Sequence, residues 1–118
     1  MADDTVKRLE AFFAQQSGVE LVILFGSMAH GQPRPDSDID IAVRYQQALT
    51  LQQRITLIEQ LALLFGRPVD LIDLHAAGEP LLGQIFKGVR IMGSDEIYAR
   101  CLARHLIDAA DFLPLQQR

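Results

Sequence analysis

The stretch Asp38-Ile39-Asp40-Ile41-Ala42-Val43 limits the possible fold more than any other segment. Side chains on a strand alternate between two faces, so Ile39, Ile41 and Val43 share one side and Asp38 and Asp40 the other. The two carboxylates then stand about 7 Å apart along the backbone. An isoleucine–valine face of this kind must be covered by another layer. Aspartate is a poor strand former and like charges repel, so the acidic side needs an explanation of its own.

The neighbouring segments supply the layers. The opening residues predict a helix capped by Asp3 or Asp4, with Val6, Leu9, Phe12 and Phe13 on one face and Gly18 ending it. VELVILF (Val19 to Phe25) is short and continuously apolar, as a buried strand is. Gly26-Ser27 breaks it and opens a short helix, Ser27 to His30, before a turn-rich QPRPDS loop. A second strand spans Asp38 to Tyr45. Thr50 caps a helix whose stripe is Leu51, Ile55, Ile58, Leu61 and Phe65, and Gly66 stops it. A third strand covers Pro68 to Leu74, a short helix follows in PLLGQIFKG, and Val89 to Met92 reads as an edge strand. Ser94 opens the last helix, with Asp95 and Glu96 at its positive end and a stripe of Tyr98, Leu102, Leu106, Ala109 and Leu113. Ile97 and Cys101 add further apolar surface there, either core or docking face for a partner. The order predicts one α/β (α+β) domain over residues 1–118, a small mixed sheet of about four strands packed with helices.

Composition removes several classes of function. The 118 residues carry a formal net charge of -4, which argues against stable, sequence-independent nucleic-acid binding. A lone cysteine, Cys101, allows no internal disulfide and suits a reducing compartment. The start lacks the basic and apolar pattern of a secretory signal, and no apolar run approaches the roughly 20 residues that span a bilayer. The expectation is a cytoplasmic protein without membrane contact. His30, His75, His105 and Cys101 share no zinc-ligand spacing, and neither a Walker A string nor a dinucleotide G-x-G-x-x-G is present.

What remains is the acidic face. Two carboxylates side by side suit a hard divalent ion with oxygen ligands, magnesium before zinc. Asp70 on the next strand can complete a three-carboxylate cluster if that strand lies beside the second. Asp73 has the opposite parity, so only one of the two can join, and Asp70 is the expected member because a bare charge between Val69 and Leu71 is otherwise costly. Gly26-Ser27 supplies the complementary half. Glycine lets a phosphate approach the backbone, and free N–H groups with the Ser27 hydroxyl can hold anionic oxygens. Asp36 and Ser37 read as turn residues and Arg34 as a solvated loop charge. The sum is a nucleoside triphosphate held with magnesium.

Gly26-Ser27, ten intervening residues and Asp38-Ile39-Asp40 resemble the signature of DNA polymerase β-type nucleotidyltransferases. The fuller GSMAHGQPRPDSDIDIAV with GRPVDLIDL is similar to their minimal branch, the MNT antitoxins of HEPN/MNT toxin–antitoxin modules. Members often carry arginine where this chain has His30. The resemblance implies the nucleotidyltransferase (polymerase β-like) fold. It also implies that Asp38, Asp40 and Asp70 bind two Mg2+ ions, that Gly26 and Ser27 hold the phosphates of ATP, and that Asp70 serves the attacking hydroxyl. With no second substrate domain in these residues, the implied acceptor is a protein: a tyrosine of a partner HEPN ribonuclease toxin, silenced by transfer of AMP. Two alternatives stay open, an antitoxin that neutralises its partner by binding alone and a nucleotidyltransferase acting on RNA ends or a small molecule.

Overall fold

The computed structural model describes residues 2–29 and 37–112, and side chains within 4–29 and 37–107. His30, Arg34 and Asp36 lie outside the described residues, as do Leu113 and the side chain of Ala109. The elements are α1 (Ala2–Ala14), β1 (Val19–Phe25), β2 (Ile39–Tyr45), α2 (Leu51–Phe65), β3 (Val69–Asp73), α3 (Leu81–Ile85), β4 (Val89–Met92) and α4 (Asp95–Phe112). The four strands form a mixed sheet in the order β3-β2-β1-β4. β1 is antiparallel to both β2 and β4, and β2 is parallel to β3. The α/β expectation holds, and Val89–Met92 is an edge strand as expected.

Strand parity divides the core in two. Val22, Leu24, Ile39, Ile41, Val43 and Leu71 meet Leu9 and Phe13 of α1 and Leu57 and Leu61 of α2. On the other face, Leu21, Ile23, Phe25 and Ala42 meet Leu82 and Ile85 of α3, with Ile97, Tyr98 and Cys101 of α4 packed against them. Each fully covered leucine, isoleucine or phenylalanine contributes about 1.5–3 kcal/mol, so the two faces hold the sheet rigid between helical layers. Asp40 and Asp70 share the second face with Ala42 and Ile72.

The helix signals mostly match. Thr50 Oγ1 accepts from the Gln53 N–H at 3.1 Å and the Gln53 side chain returns to the Thr50 N–H at 2.8 Å, a complete capping box. Gly66 closes α2 in the left-handed conformation, φ +66°. Ser94 Oγ accepts from the Ile97 N–H at 3.2 Å at the head of α4.

Four expectations are corrected. α1 already includes Asp3 and Asp4, so neither precedes it as a cap. Only a turn, with the Ala29 N–H donating to the Gly26 carbonyl at 3.1 Å, occupies the described part of the predicted Ser27–His30 helix. In α2 the buried pair is Leu57 and Leu61, while Leu51 is 74% exposed and Ile55 also faces solvent. α2 packs over β3, an edge strand, which covers a narrower side of the helix than the stripe assumed. In α4 the inward residues are Ile97, Tyr98 and Cys101, and Leu106 of the expected stripe is exposed with Ile107. Among the described residues no helix is long and apolar enough to cross a membrane.

Candidate active site

Three strand ends meet at one edge of the second sheet face. β1 runs through a wholly buried stretch to Phe25, whose partner on β2 is Asp40. Asp40 in turn pairs with Asp70 on β3. Neighbouring strands lie about 4.8 Å apart, so the parallel ladder sets these two carboxylates side by side on one face. Asp38 precedes β2 by one residue rather than lying within it, and is exposed. Asp70 is exposed too, so the cost of a buried charge is not what marks it; its register beside Asp40 is.

Gly26 completes the edge. Its φ is +75°, a conformation that side-chain-bearing residues rarely adopt. A Cβ built there would lie 2.2 Å from Asp40 Oδ2 and 3.1 Å from Asp40 Cγ. Only glycine lets the end of β1 turn while the carboxylate stays seated against it. Ser27 follows at once and is exposed.

The charges reinforce one another. The pKa of Asp40 is raised above its ordinary 3.8, first by burial, then by the charge of Asp70, then by that of Asp38. The three carboxylates are therefore electrostatically coupled, and among the described residues no ion pair neutralises any of them. Among the described residues no group of three or more His, Cys, Asp or Glu side chains is placed so that it could hold a metal ion. The trio is an open, all-oxygen acidic wall. That donor set fits a hard cation which retains part of its water shell, as Mg2+ does.

Asp73, three residues further along β3, has a different occupation. It is 7% exposed, and its Oδ2 accepts from the Leu49 N–H at 2.8 Å and its Oδ1 from the His75 N–H at 2.9 Å. His75 Nε2 donates to the Tyr45 carbonyl at 2.7 Å. This carboxylate fastens the far ends of β2 and β3. A cavity of about 250 Å³ at that far end, lined by Glu20, Arg44, Phe86 and Cys101 among others, includes none of Gly26, Asp38, Asp40 or Asp70.

One rim residue carried no signal in spacing or composition. Arg67 Nη1 lies 3.3 Å from the Ser37 carbonyl oxygen and 3.4 Å from Met28 Sδ, touching the segments on both sides of the acidic edge. Only its position just before the strand bearing Asp70 could have drawn attention to it.

Comparison with known proteins points to one family. Protein adenylyltransferase MntA of Shewanella oneidensis is 36% identical over 85 residues, 69% of this chain and 61% of that protein. MntA of Thermococcus cleftensis is 38% identical over 58 residues, 49% of this chain and 59% of that protein. The matches thus span about three-fifths of the length of these curated relatives. A chain in a crystal structure of a toxin–antitoxin with AMP-PNP superimposes with a TM-score of 0.80 at 26% identity, covering 90% of this chain and 86% of that one. The complex of a tri-AMPylated Shewanella oneidensis HEPN toxin with its MNT antitoxin contains the same fold, with a TM-score of 0.79 at 23% identity over 95% and 89% of the two chains. The family described as polymerase beta, nucleotidyltransferase matches residues 7–97, a span that holds the glycine turn, the paired strands and all three carboxylates. With that match covering most of its length, the chain belongs to the polymerase beta nucleotidyltransferase family.

Proposed function

We propose that this chain is an antitoxin that transfers AMP from ATP to a side-chain hydroxyl, a tyrosine, of a partner HEPN ribonuclease, acting as one minimal nucleotidyltransferase domain. The observation that carries the reading is the Asp40–Asp70 register with Gly26 seated against Asp40 and Asp38 beside them. The names of the similar proteins, protein adenylyltransferases and a toxin–antitoxin complex holding an ATP analogue, support the nucleotide and the acceptor.

Asp38, Asp40 and Asp70 are the residues that would hold two Mg2+ ions. When bound, these ions supply charge neutralisation of the triphosphate and a lowered pKa for the attacking hydroxyl. The Gly26–Ser27 turn grips the β- and γ-phosphates through backbone N–H groups and the serine hydroxyl. The acceptor oxygen attacks the α-phosphorus, and the bond from that phosphorus to the bridging oxygen breaks. Pyrophosphate leaves with the bridging electrons. The hydroxyl proton passes to the Asp70 carboxylate. Asp40, which holds its proton more tightly than an ordinary aspartate, must be ionised for the wall to work.

The test is incubation of the chain and Mg2+ with ATP labelled at the α-phosphate, a HEPN ribonuclease that binds the chain and bulk tRNA. Label on a tyrosine of the HEPN protein, absent when Asp38→Ala and Asp40→Ala are combined, is the expected outcome. Label on tRNA, or full neutralisation of the toxin in cells by the double variant, overturns the assignment.

A further inference from the structure

Asp38 is the one member of the acidic wall that no strand ladder holds. The β1–β2 pairing ends at Phe25 and Asp40, and the β2–β3 pairing begins at Ile39 and Val69. Asp38 and Ser37 stand beyond both. On the opposite side, the Gly26–Ala29 turn also lies past the end of its strand, held by its own Ala29-to-Gly26 hydrogen bond. Both pieces of the site therefore lie outside the strand ladders that fix Asp40 and Asp70. The turn is anchored by the packing of Met28, and the Ser37–Asp38 segment by no ladder at all.

We infer that Arg67 is a positioning residue that supplies a restraint, tying the segment of Gly26 and Ser27 to the segment of Asp38 and so fixing the span between anion grip and acidic wall. The inference rests on the nucleotidyltransferase reading given above. One guanidinium nitrogen reaches both pieces: the Ser37 carbonyl at 3.3 Å and the Met28 thioether at 3.4 Å. Met28 is a firm platform, 6% exposed and packed in the cluster that contains Leu9, Phe13 and Ile39. The root of Arg67 is equally fixed. Gly66 turns the chain out of α2, its N–H bonded to the Ala62 carbonyl at 2.8 Å. Next to Arg67, the Pro68 carbonyl accepts from the Ile39 N–H at 3.0 Å. A thioether is a weak acceptor, so the carbonyl bond carries direction while the sulfur contact sets the resting place. Both contacts use Nη1, whose N–H bonds lie fixed in the guanidinium plane, whereas an ammonium acts as a point charge.

The experiment compares the wild-type chain with Arg67→Gln and Arg67→Lys in complex with the HEPN partner. Amide hydrogen exchange is read at every residue, and AMP transfer is followed as separate kcat and KM for ATP. In Arg67→Gln the amides of residues 28–29 and 37–39 should exchange about tenfold faster while those within β1 and β3 stay unchanged. Its kcat should fall by about tenfold or more, with KM altered by less than about threefold, since misplacement of about 1 Å is enough for such a loss. Arg67→Lys, with charge and length retained, should recover only part of kcat and carries the same comparison if the glutamine variant folds poorly. Unchanged exchange at residues 28–29 and 37–39, a uniform rise across the sheet, or an unaltered kcat in an active system overturns the inference. If the wild-type complex transfers no AMP, the functional reading fails, and the exchange pattern alone still decides the role of Arg67.

Discussion

β2 and β3 each carry aspartate on the sheet, yet the two ends of this strand pair treat the carboxylate in opposite ways. At the far end Asp73 is largely buried, with one backbone N–H on each oxygen. At the near end Asp40 and Asp70 stand abreast with Asp38 close by, and burial is added to the repulsion. The first arrangement minimises free energy locally. The second does the opposite, and is stable only because a two-sided core holds the strands in register. Identical chemistry becomes a fastening at one end and, on the function proposed above, a reaction site at the other, according to the donors around it.

The sharpest way to break this comparison is Asp40→Ala. Transfer of AMP should fall at least about a thousandfold, about 4 kcal/mol of transition-state stabilisation, while thermal stability holds or rises as a repulsive charge disappears. Loss of folding in parallel with activity would mean that the near end, too, is structural. Gly26→Ala comes next. The added methyl meets Asp40 Oδ2 and the backbone is already left-handed, so activity should drop by about a hundredfold and stability by about 1–2 kcal/mol in chemical denaturation.

At the far end the expected pattern reverses. Asp73→Ala leaves the Leu49 and His75 N–H groups without acceptors and should cost about 2–3 kcal/mol in urea titration, with kcat of the folded fraction nearly intact. The smallest effect is in acid. Because the folded protein holds the Asp40 proton more tightly than the unfolded chain, this group favours folding below pH 3.8, and its contribution is lost as pH rises through its raised value. Asp40→Asn should remove that slope from thermal melts recorded across the acid range. Asp70→Asn should shift the Asp40 carbonyl-carbon NMR titration downward yet leave it above 3.8, since burial is the leading cause and Asp70 only the second.

Much of this was legible in the sequence because local rules and tertiary packing agreed. Alternation in Ile39, Ile41 and Val43 gave the buried face, Thr50 and Gly66 bounded α2, and parity separated Asp70 from Asp73. Amphipathic phase was harder. The stripe from Leu51 is regular, yet the inward side of a helix over an edge strand is chosen by the strand, and Leu57 lies off that stripe. The sequence marked Gly26 as a place where a phosphate could approach, but its role as the clearance for Asp40 depends on a β1–β2 register that no local pattern encodes. Arg67 was invisible for the same reason: its partners are 30 and 39 positions away.

The parallel pairing of Ile39 with Val69 has a consequence for how such genes can vary. α2 and its connection can change in length by whole helical turns, since the ladder re-forms wherever the strand resumes. A deletion of a single codon between Gly66 and Val69 is another matter. If β3 slid by one step, Asp70 would move opposite Ile39 into the apolar layer, Leu71 would stand beside Asp40, and Asp73 would leave its two N–H donors for a place beside Ala42. Reading-frame-preserving indels at this short connection are therefore the lesions most apt to produce a chain that folds but has lost its chemistry.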